Sequence, residues 1–358
     1  MVSHKPNPHP QPYRKRGLVG SNLGKTDRIS LIQKLEDLRK SKVVTYVTSD
    51  RPNNLRLQGM ITYEAVRPLH KQLQLMGSQE QIDLFLYTRG GEAETSWRIA
   101  KLFREYSKKF TVIVPFRAHS GGTQVALGAD GIVMTELSEL GPVDPTAANE
   151  FNPLDPLIKG RRIPFSVEDV NSFLKLAEQR AGLKSETERL QTFSTLANRY
   201  EPLALGNVNR VYEEIRVLAR DLLSLHMDPT KDGEKMDQIV RALTETYIHE
   251  HPITRDEAER IGLKVIRPST EENKAIIDLY QKYEKDMELS EPLDAETVLG
   301  SNPTASMSYD AAMVESYKSS LLYRIEGLLI RQPPTQPQAP TQTGEIALKL
   351  KTGKWLAV

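Results

Sequence analysis

Residues 84–145 read LFLYTRGGEAETSWRIAKLFREYSKKFTVIVPFRAHSGGTQVALGADGIVMTELSELGPVDP, and their rhythm decides the fold. An apolar run ends at Tyr87, Thr88-Arg89-Gly90-Gly91 breaks it, and Thr95–Tyr106 has the spacing of an amphipathic helix, with Trp97, Ile99 and Leu102 as packing residues. The pattern then repeats. Phe110–Pro115 (FTVIVP) is rich in β-branched residues, Ala118-His119-Ser120-Gly121-Gly122-Thr123 breaks it, and Ser120–Leu127 opens another helix before the short apolar run Gly131–Met134. Strands separated by a helix every 25 to 30 residues or so need parallel βαβ crossovers. In sheets of that kind, ligands bind beyond the carboxyl ends of the strands, which is where both glycine turns fall.

Working outward, Val43–Thr48 and Ile82–Tyr87 read as buried strands, and Thr62–Met76 reads as a helix between them. Asp27 is placed to cap a helix running to Lys40, with Ile29, Ile32, Leu35 and Leu38 as its stripe. Downstream, residues 166–245 turn helical, and Val208, Val211, Ile215, Leu218 and Leu222 form a stripe that suits either core or a subunit interface. Pro252–Val265 reads as a loop, a helix over Arg255–Ile261 and a return strand, followed by a charged helix over 270–289. The expected organisation is a disordered tail at 1–26 and one domain over 27–290 with a helical insertion at about 166–245. An extension over 291–331, a Pro/Gln-rich linker at 332–343 and a terminal strand segment at 344–358 complete it.

Composition narrows the function classes. The chain has 358 residues, 39% hydrophobic and 27% charged, with 48 Lys+Arg against 47 Asp+Glu. That near-neutral balance gives no reason to expect a nucleic-acid partner. With no cysteine, disulfides, thiolate metal sites and a Cys nucleophile all drop out. The amino-terminal MVSHKPNPHPQPYRKRG has a basic cluster without an apolar segment behind it, and no long apolar run follows, so the expected location is the cytoplasm, without membrane association.

The chemistry implied by the two turns is that of a nucleophile and an oxyanion hole. Gly90 and Gly91 lack a Cβ, so the backbone can approach a substrate and aim N–H groups at it. Ser120 opens a helix, where the first N–H groups have no intrahelical acceptor. The N–H of Gly121 and one from the Gly90–Gly91 turn would then hold a developing oxyanion. A helix-capping serine between glycine turns suits a purely structural role equally well.

The strings TRGGEAETSWRIAKLF and FTVIVPFRAHSGGTQVALGADGIVMTELSELGPVDP resemble the serine dehydrogenase proteinase family, which are Clp-fold serine proteases. The likeness covers roughly residues 43–147 and returns more weakly at 247–266, in YIHEHPITRDEAERIGLKV. It implies an α/β fold of the ClpP/crotonase type, a superhelix of ββα units, here with a helical insertion and a short C-terminal β element. It also implies Ser120 as nucleophile of a peptidase acting on polypeptide, Gly90, Gly91 and Gly121 as the oxyanion element, and assembly into a homo-oligomer; the residues themselves, with no His-Glu-x-x-His and no cysteine, give no reason to expect a metal or cofactor. Asp130, Pro142 and Asp144 are expected to shape the surrounding loops.

The general base is the place where the resemblance departs. Where the Clp protease subunit has its histidine, this chain has Gly141-Pro142-Val143-Asp144-Pro145. One route is a lysine, as in signal peptide peptidase A; Lys159 in DPLIKGRR is the candidate, against its reading as an exposed loop residue beside Arg161 and Arg162. The other is His249, favoured over His251, brought back to the serine with Asp144 as its partner. His119 adjoins Ser120 in sequence, and neighbours at such a turn point apart, so it is expected to shape the pocket rather than take the proton. His70, His226, His4 and His9 read as surface or tail residues.

Rival readings are weaker or bolder. His249-Glu250-His251 is too short to enclose zinc, and Gly20–Thr26 (GSNLGKT) is one residue short of a phosphate loop and follows no strand. An acyl-CoA enzyme of the crotonase type would use the same paired amides on an enolate, and a scaffold that has lost its base would keep the shape alone.

Overall fold

The apolar runs at Val43, Ile82, Phe110 and Gly131 lie side by side as parallel strands of one sheet. The computed structural model describes residues 24–143, 146–147, 149–155, 160–245, 251–332 and 346–358. The chain passes through α1 (Lys25–Arg39), β1 (Lys42–Thr48), a 3-10 turn at Tyr63–Ala65, α2 (Val66–Met76), β2 (Gln79–Tyr87), α3 (Ala93–Tyr106) and β3 (Ser107–Val114). It continues with β4 (Arg117–Ala118), α4 (Gly121–Leu127), β5 (Gly131–Met134), β6 (Glu139–Leu140), β7 (Thr146–Ala147) and β8 (Phe165–Ser166). Helices α5 (Val167–Lys175), α6 (Glu186–Arg199), α7 (Pro202–Leu223) and α8 (Gly233–Glu245) make up the helical insertion. Then come β9 (Ile253–Thr254), α9 (Arg255–Ile261), β10 (Val265–Ile266), α10 (Thr270–Asp286) and α11 (Ala295–Leu299), and finally β11 (Thr304–Ser316), β12 (Ser319–Arg331) and β13 (Ile346–Ala357).

The principal sheet has eight strands in the order β10-β5-β3-β2-β1-β11-β12-β13. Strands β10, β5, β3, β2 and β1 are parallel, and β11 then turns the sheet antiparallel. Successive residues of a strand face opposite sides, so the parallel half buries two sets of side chains. Val44, Leu84, Val112 and Ile132 share one register row, facing the core built with α2, α3, α4, α7 and α8. Val43, Phe85, Ile113 and Val133 pack with α1 and α10 on the other side. The result is a three-layer α/β fold, with helices on both faces of the sheet.

Charges inside this packing are matched. The fully buried Arg28 donates to both carboxylate oxygens of Glu315 at 2.7 and 3.0 Å and pairs with Asp286, tying α1 to β11 and α10. A buried guanidinium without such partners would be strongly destabilising.

Two expectations are revised in detail. Helix α1 begins at Lys25, two residues before Asp27, which lies in the first turn instead of capping it; the helix ends at Arg39, with Lys40 left-handed at φ 54°. The C-terminal β element is much larger than a terminal strand segment: β11 and β12 are 13 residues each, and both lie in the stretch read as an extension. The stripe on α7 goes to the core, with Val208, Ile215 and Leu222 buried within this chain. Among the described residues, no helix is long and apolar enough to cross a membrane.

Candidate active site

Both glycine turns sit at the carboxyl ends of adjacent parallel strands, and the main chain ties them together. Thr88, just past β2, bridges Ala118: its N–H donates to Arg117 O at 3.0 Å, and its carbonyl accepts from His119 N at 3.1 Å. This sets Gly90 against the serine. A Cβ on Gly90 would lie 2.8 Å from Ser120 Cβ and 3.1 Å from Gly121 N. A Cβ on Gly121 would lie 2.6 Å from Ser96 Oγ and 3.1 Å from Gly91 N. Two turns about thirty residues apart in sequence thus meet at van der Waals distance, and only glycines allow it.

Ser120 precedes α4 with φ 47° and ψ −111°, a conformation rare for any residue carrying a Cβ. Holding a non-glycine residue there costs on the order of 1–3 kcal/mol, and such residues concentrate at functional sites. The residue is half-buried. A sharp turn from strand to helix thus carries a serine in a strained conformation.

The amides of the first turn are not equivalent. Gly90 N–H donates to Thr88 Oγ1 at 3.0 Å. Gly91 forms a parallel bridge with Ile61, in which Ile61 N donates to Gly90 O (2.7 Å) and Glu92 N donates to Ile61 O (2.9 Å). In that ladder the neighbours of Gly91 face Ile61, so the N–H of Gly91 points the other way, toward Gly121. The Gly121 amide is the first of α4 and has no acceptor within the helix.

His119 turns away from the serine. Its Nε2 meets Glu139 Oε1 at 3.0 Å, its ring covers Gly141, and no hydrogen bond joins it to Ser120. Glu139 also faces Arg117 Nε at 3.3 Å, and Arg117 reaches Asp50 at 2.9 Å. Burial holds the His119 imidazole below its ordinary pKa, with Arg89 and Arg117 adding to that and Glu139 opposing it. His226 is not a surface residue as expected: its ring is half-buried, hydrogen-bonded to Leu127 O at 2.9 Å at the end of α4, and burial lowers its pKa too.

The sign of the resulting pH dependence follows. An unfolded histidine titrates near about 6.5, and these two bind their protons only at lower pH when folded. The unfolded chain therefore takes up protons first, and stability falls as pH drops from about 6.5 through the folded pKa values. Urea midpoints measured at pH 7.5 and 5.5 are expected to be lower at 5.5, and His226→Gln is expected to shrink the difference. Equal midpoints at the two pH values would contradict the assignment.

Three residues proposed from sequence, Lys159, His249 and Asp144, lie outside the described residues. His251 is described and pairs with Glu257 at 3.2 Å. Asp130 accepts from Phe110 N and Arg104, both at 2.7 Å, which fixes the start of β5. Pro142 is buried, and Thr123 Oγ1 clasps Gly141 beside it, donating to its carbonyl at 2.8 Å. Sequence reading gives Thr88 no role, although the threonine stands directly before Arg89-Gly90-Gly91. A hydroxyl two residues ahead of a turn amide is a local pairing pattern that could have marked it.

Residues 20–160 match the family model of the ClpP-like SDH-type serine proteinases. An uncharacterized protein of Methanocaldococcus jannaschii is 29% identical over 262 residues, spanning 71% of this chain and 79% of its own length. A second uncharacterized protein of that organism is 27% identical over 266 residues, spanning 73% and 77%. Among solved structures, a mutant of the 1510-N membrane-bound stomatin-specific protease aligns with TM-score 0.37 at 14% identity, over 68% of this chain and 84% of that one. ClpP1 from Listeria monocytogenes aligns with TM-score 0.32 at 14% identity, over 67% and 97%.

Proposed function

We propose that this chain, whose residues 20–160 match the ClpP-like SDH-type serine proteinases, cuts peptide bonds through an acyl-enzyme formed on Ser120. The observation that carries the reading is the meeting of the two glycine turns, with the Gly91 and Gly121 backbones in contact beside a strained serine.

In this mechanism Ser120 Oγ attacks the scissile carbonyl as a base takes its proton. The carbonyl oxygen becomes an oxyanion held by the N–H groups of Gly91 and Gly121. Each donor of this kind is typically worth about 2.7–4 kcal/mol in the transition state. Gly90 contributes conformation instead, because its own amide is bonded to Thr88. Collapse of the intermediate breaks the C–N bond, the base returns the proton to the leaving amine, and water then releases the acyl group by the same steps. Lys159, or His249 with Asp144, is the proposed base; His119 Nε2 is paired with Glu139, and His251 Nε2 with Glu257. The proposed substrate is polypeptide.

Labelling by a fluorophosphonate probe tests the reading. The wild-type chain is expected to be labelled at Ser120, and one of Lys159→Ala or His249→Ala is expected to slow labelling about 100-fold or more, the usual range for a general base. If both variants label at the wild-type rate, neither residue is the base. If the probe ignores the wild type and the protein binds coenzyme A, the crotonase-type acyl-CoA reading takes its place.

A further inference from the structure

We propose that Thr88 is a positioning residue that sets the oxyanion turn against the serine turn, an inference that rests on the peptidase reading above. Thr88 is fully buried and touches both turns at once. Its main chain is the bridge to Arg117, Ala118 and His119, the residues leading into Ser120. Its side chain reaches forward along its own strand: Oγ1 accepts from Gly90 N at 3.0 Å.

A second hydroxyl fixes the first. Thr48 Oγ1, at the end of β1 and fully buried, donates to Thr88 Oγ1 at 2.9 Å. That leaves the Thr88 proton directed at Gly90 O, 3.3 Å away, which in turn accepts from Ile61 N. The methyl of Thr88 is also placed, since a Cβ on Gly122 would lie 2.6 Å from Thr88 Cγ2. One side chain therefore fixes the peptide before Gly91 and packs on the helix turn after Ser120. The orientation of the Gly91 N–H follows from that of the Gly90 carbonyl, which accepts from Thr88 Oγ1 and Ile61 N, because the two groups lie in one trans peptide plane and point opposite ways. Serine would keep the hydrogen bonds, and valine would keep the shape while leaving Gly90 N and the Thr48 hydroxyl without an acceptor.

The test compares Thr88→Val, Thr88→Ser and wild type on a fluorogenic peptide amide, reading kcat and KM separately. Thr88→Val is expected to lower kcat by about 10- to 100-fold with KM within about twofold, because a misaimed donor acts on the transition state and not on substrate binding. Thr88→Ser is expected to restore kcat to within about threefold of wild type, since it regains the hydrogen bonds. Thr111→Val makes the same chemical change at a buried hydroxyl that has no partner among the described residues, on β3 away from the turns, and is expected to leave kcat unchanged. Should Thr88→Val not fold, Thr48→Val reads the same point, with a severalfold lower kcat and unchanged KM. Wild-type kcat in Thr88→Val or Thr48→Val, a change confined to KM, or failure of serine to rescue would each overturn the positioning role while leaving the peptidase intact. Absence of Ser120-dependent hydrolysis in the wild type would overturn both.

Discussion

Ser120→Ala is expected to lower peptide hydrolysis by a factor on the order of 10⁶ in kcat and to abolish fluorophosphonate labelling, as loss of the nucleophile does in serine peptidases. The structure adds a second, less obvious expectation at the same position. At φ 47° and ψ −111° the serine Cβ is strained, and alanine keeps that Cβ, so Ser120→Ala should leave the thermal midpoint where it was. Ser120→Gly removes the strain of about 1–3 kcal/mol and adds about 0.5–1 kcal/mol of unfolded-state entropy, leaving a net stabilisation of about 1 kcal/mol. In a chain of this size that raises the midpoint by about 1 °C. An inactive variant more stable than the active enzyme marks strain kept for catalysis. Thermal scans of the three proteins decide it: a Ser120→Gly midpoint at or below that of Ser120→Ala would mean that the turn is relaxed and that its unusual backbone has no bearing on the chemistry.

The parallel half of the fold and the two turns were readable because their signals are local. Val43–Thr48, Phe110–Pro115 and Gly131–Met134 are unbroken apolar runs of the kind a doubly covered sheet requires, and each became a strand within a few residues of its expected limits. The β11–β12 hairpin carries no such mark. Its first strand, TASMSYDAAMVES, mixes small and polar residues, and its connection at Tyr317-Lys318 has none of the Gly or Asn that usually announces a two-residue turn. What makes it a strand is non-local: Val314 pairs with Tyr46 of β1, and Glu315 meets Arg28 from the far end of the domain. The candidate site divides in the same way. Ser120 and the glycines stand out as candidates by residue type, whereas the difference between Gly90 and Gly91 depends on Thr88 and Ile61, whose positions only the folded backbone fixes.

That backbone makes Gly91→Ala the second large expected effect. A Cβ at Gly91 would fall 2.1 Å from Ile61 O, 2.5 Å from Ile61 N and 2.7 Å from Ile61 C, all main-chain atoms, at a φ of +153°. A flexible side chain could swing aside; Ile61 cannot. Two residues earlier Gly59 N donates to Ser49 O at 2.7 Å, and Ala311 O accepts from Ser49 N at 2.8 Å. Ala311 is itself the extra residue of a bulge in β11, and its carbonyl presses on Gly59 so closely that a Cβ there would lie 1.9 Å from it. Ile61 is thus braced from behind by the C-terminal hairpin, and Gly91 must be the one to move. Moving it breaks the bonds from Ile61 N to Gly90 O and from Glu92 N to Ile61 O, each worth about 1 kcal/mol net, and shifts the Gly91 N–H from the oxyanion position. A destabilisation of about 2–3 kcal/mol and a loss of at least about 100-fold in kcat are expected together. Gly206→Ala supplies the contrast: that glycine lies within α7, meets nothing within 4 Å, and its replacement is expected to stabilise the helix by up to about 1 kcal/mol without touching turnover. Urea titration and kcat for the two variants separate the cases. A Gly91→Ala enzyme that turns over at the wild-type rate would remove that amide from the mechanism and leave Gly121 to hold the oxyanion without it.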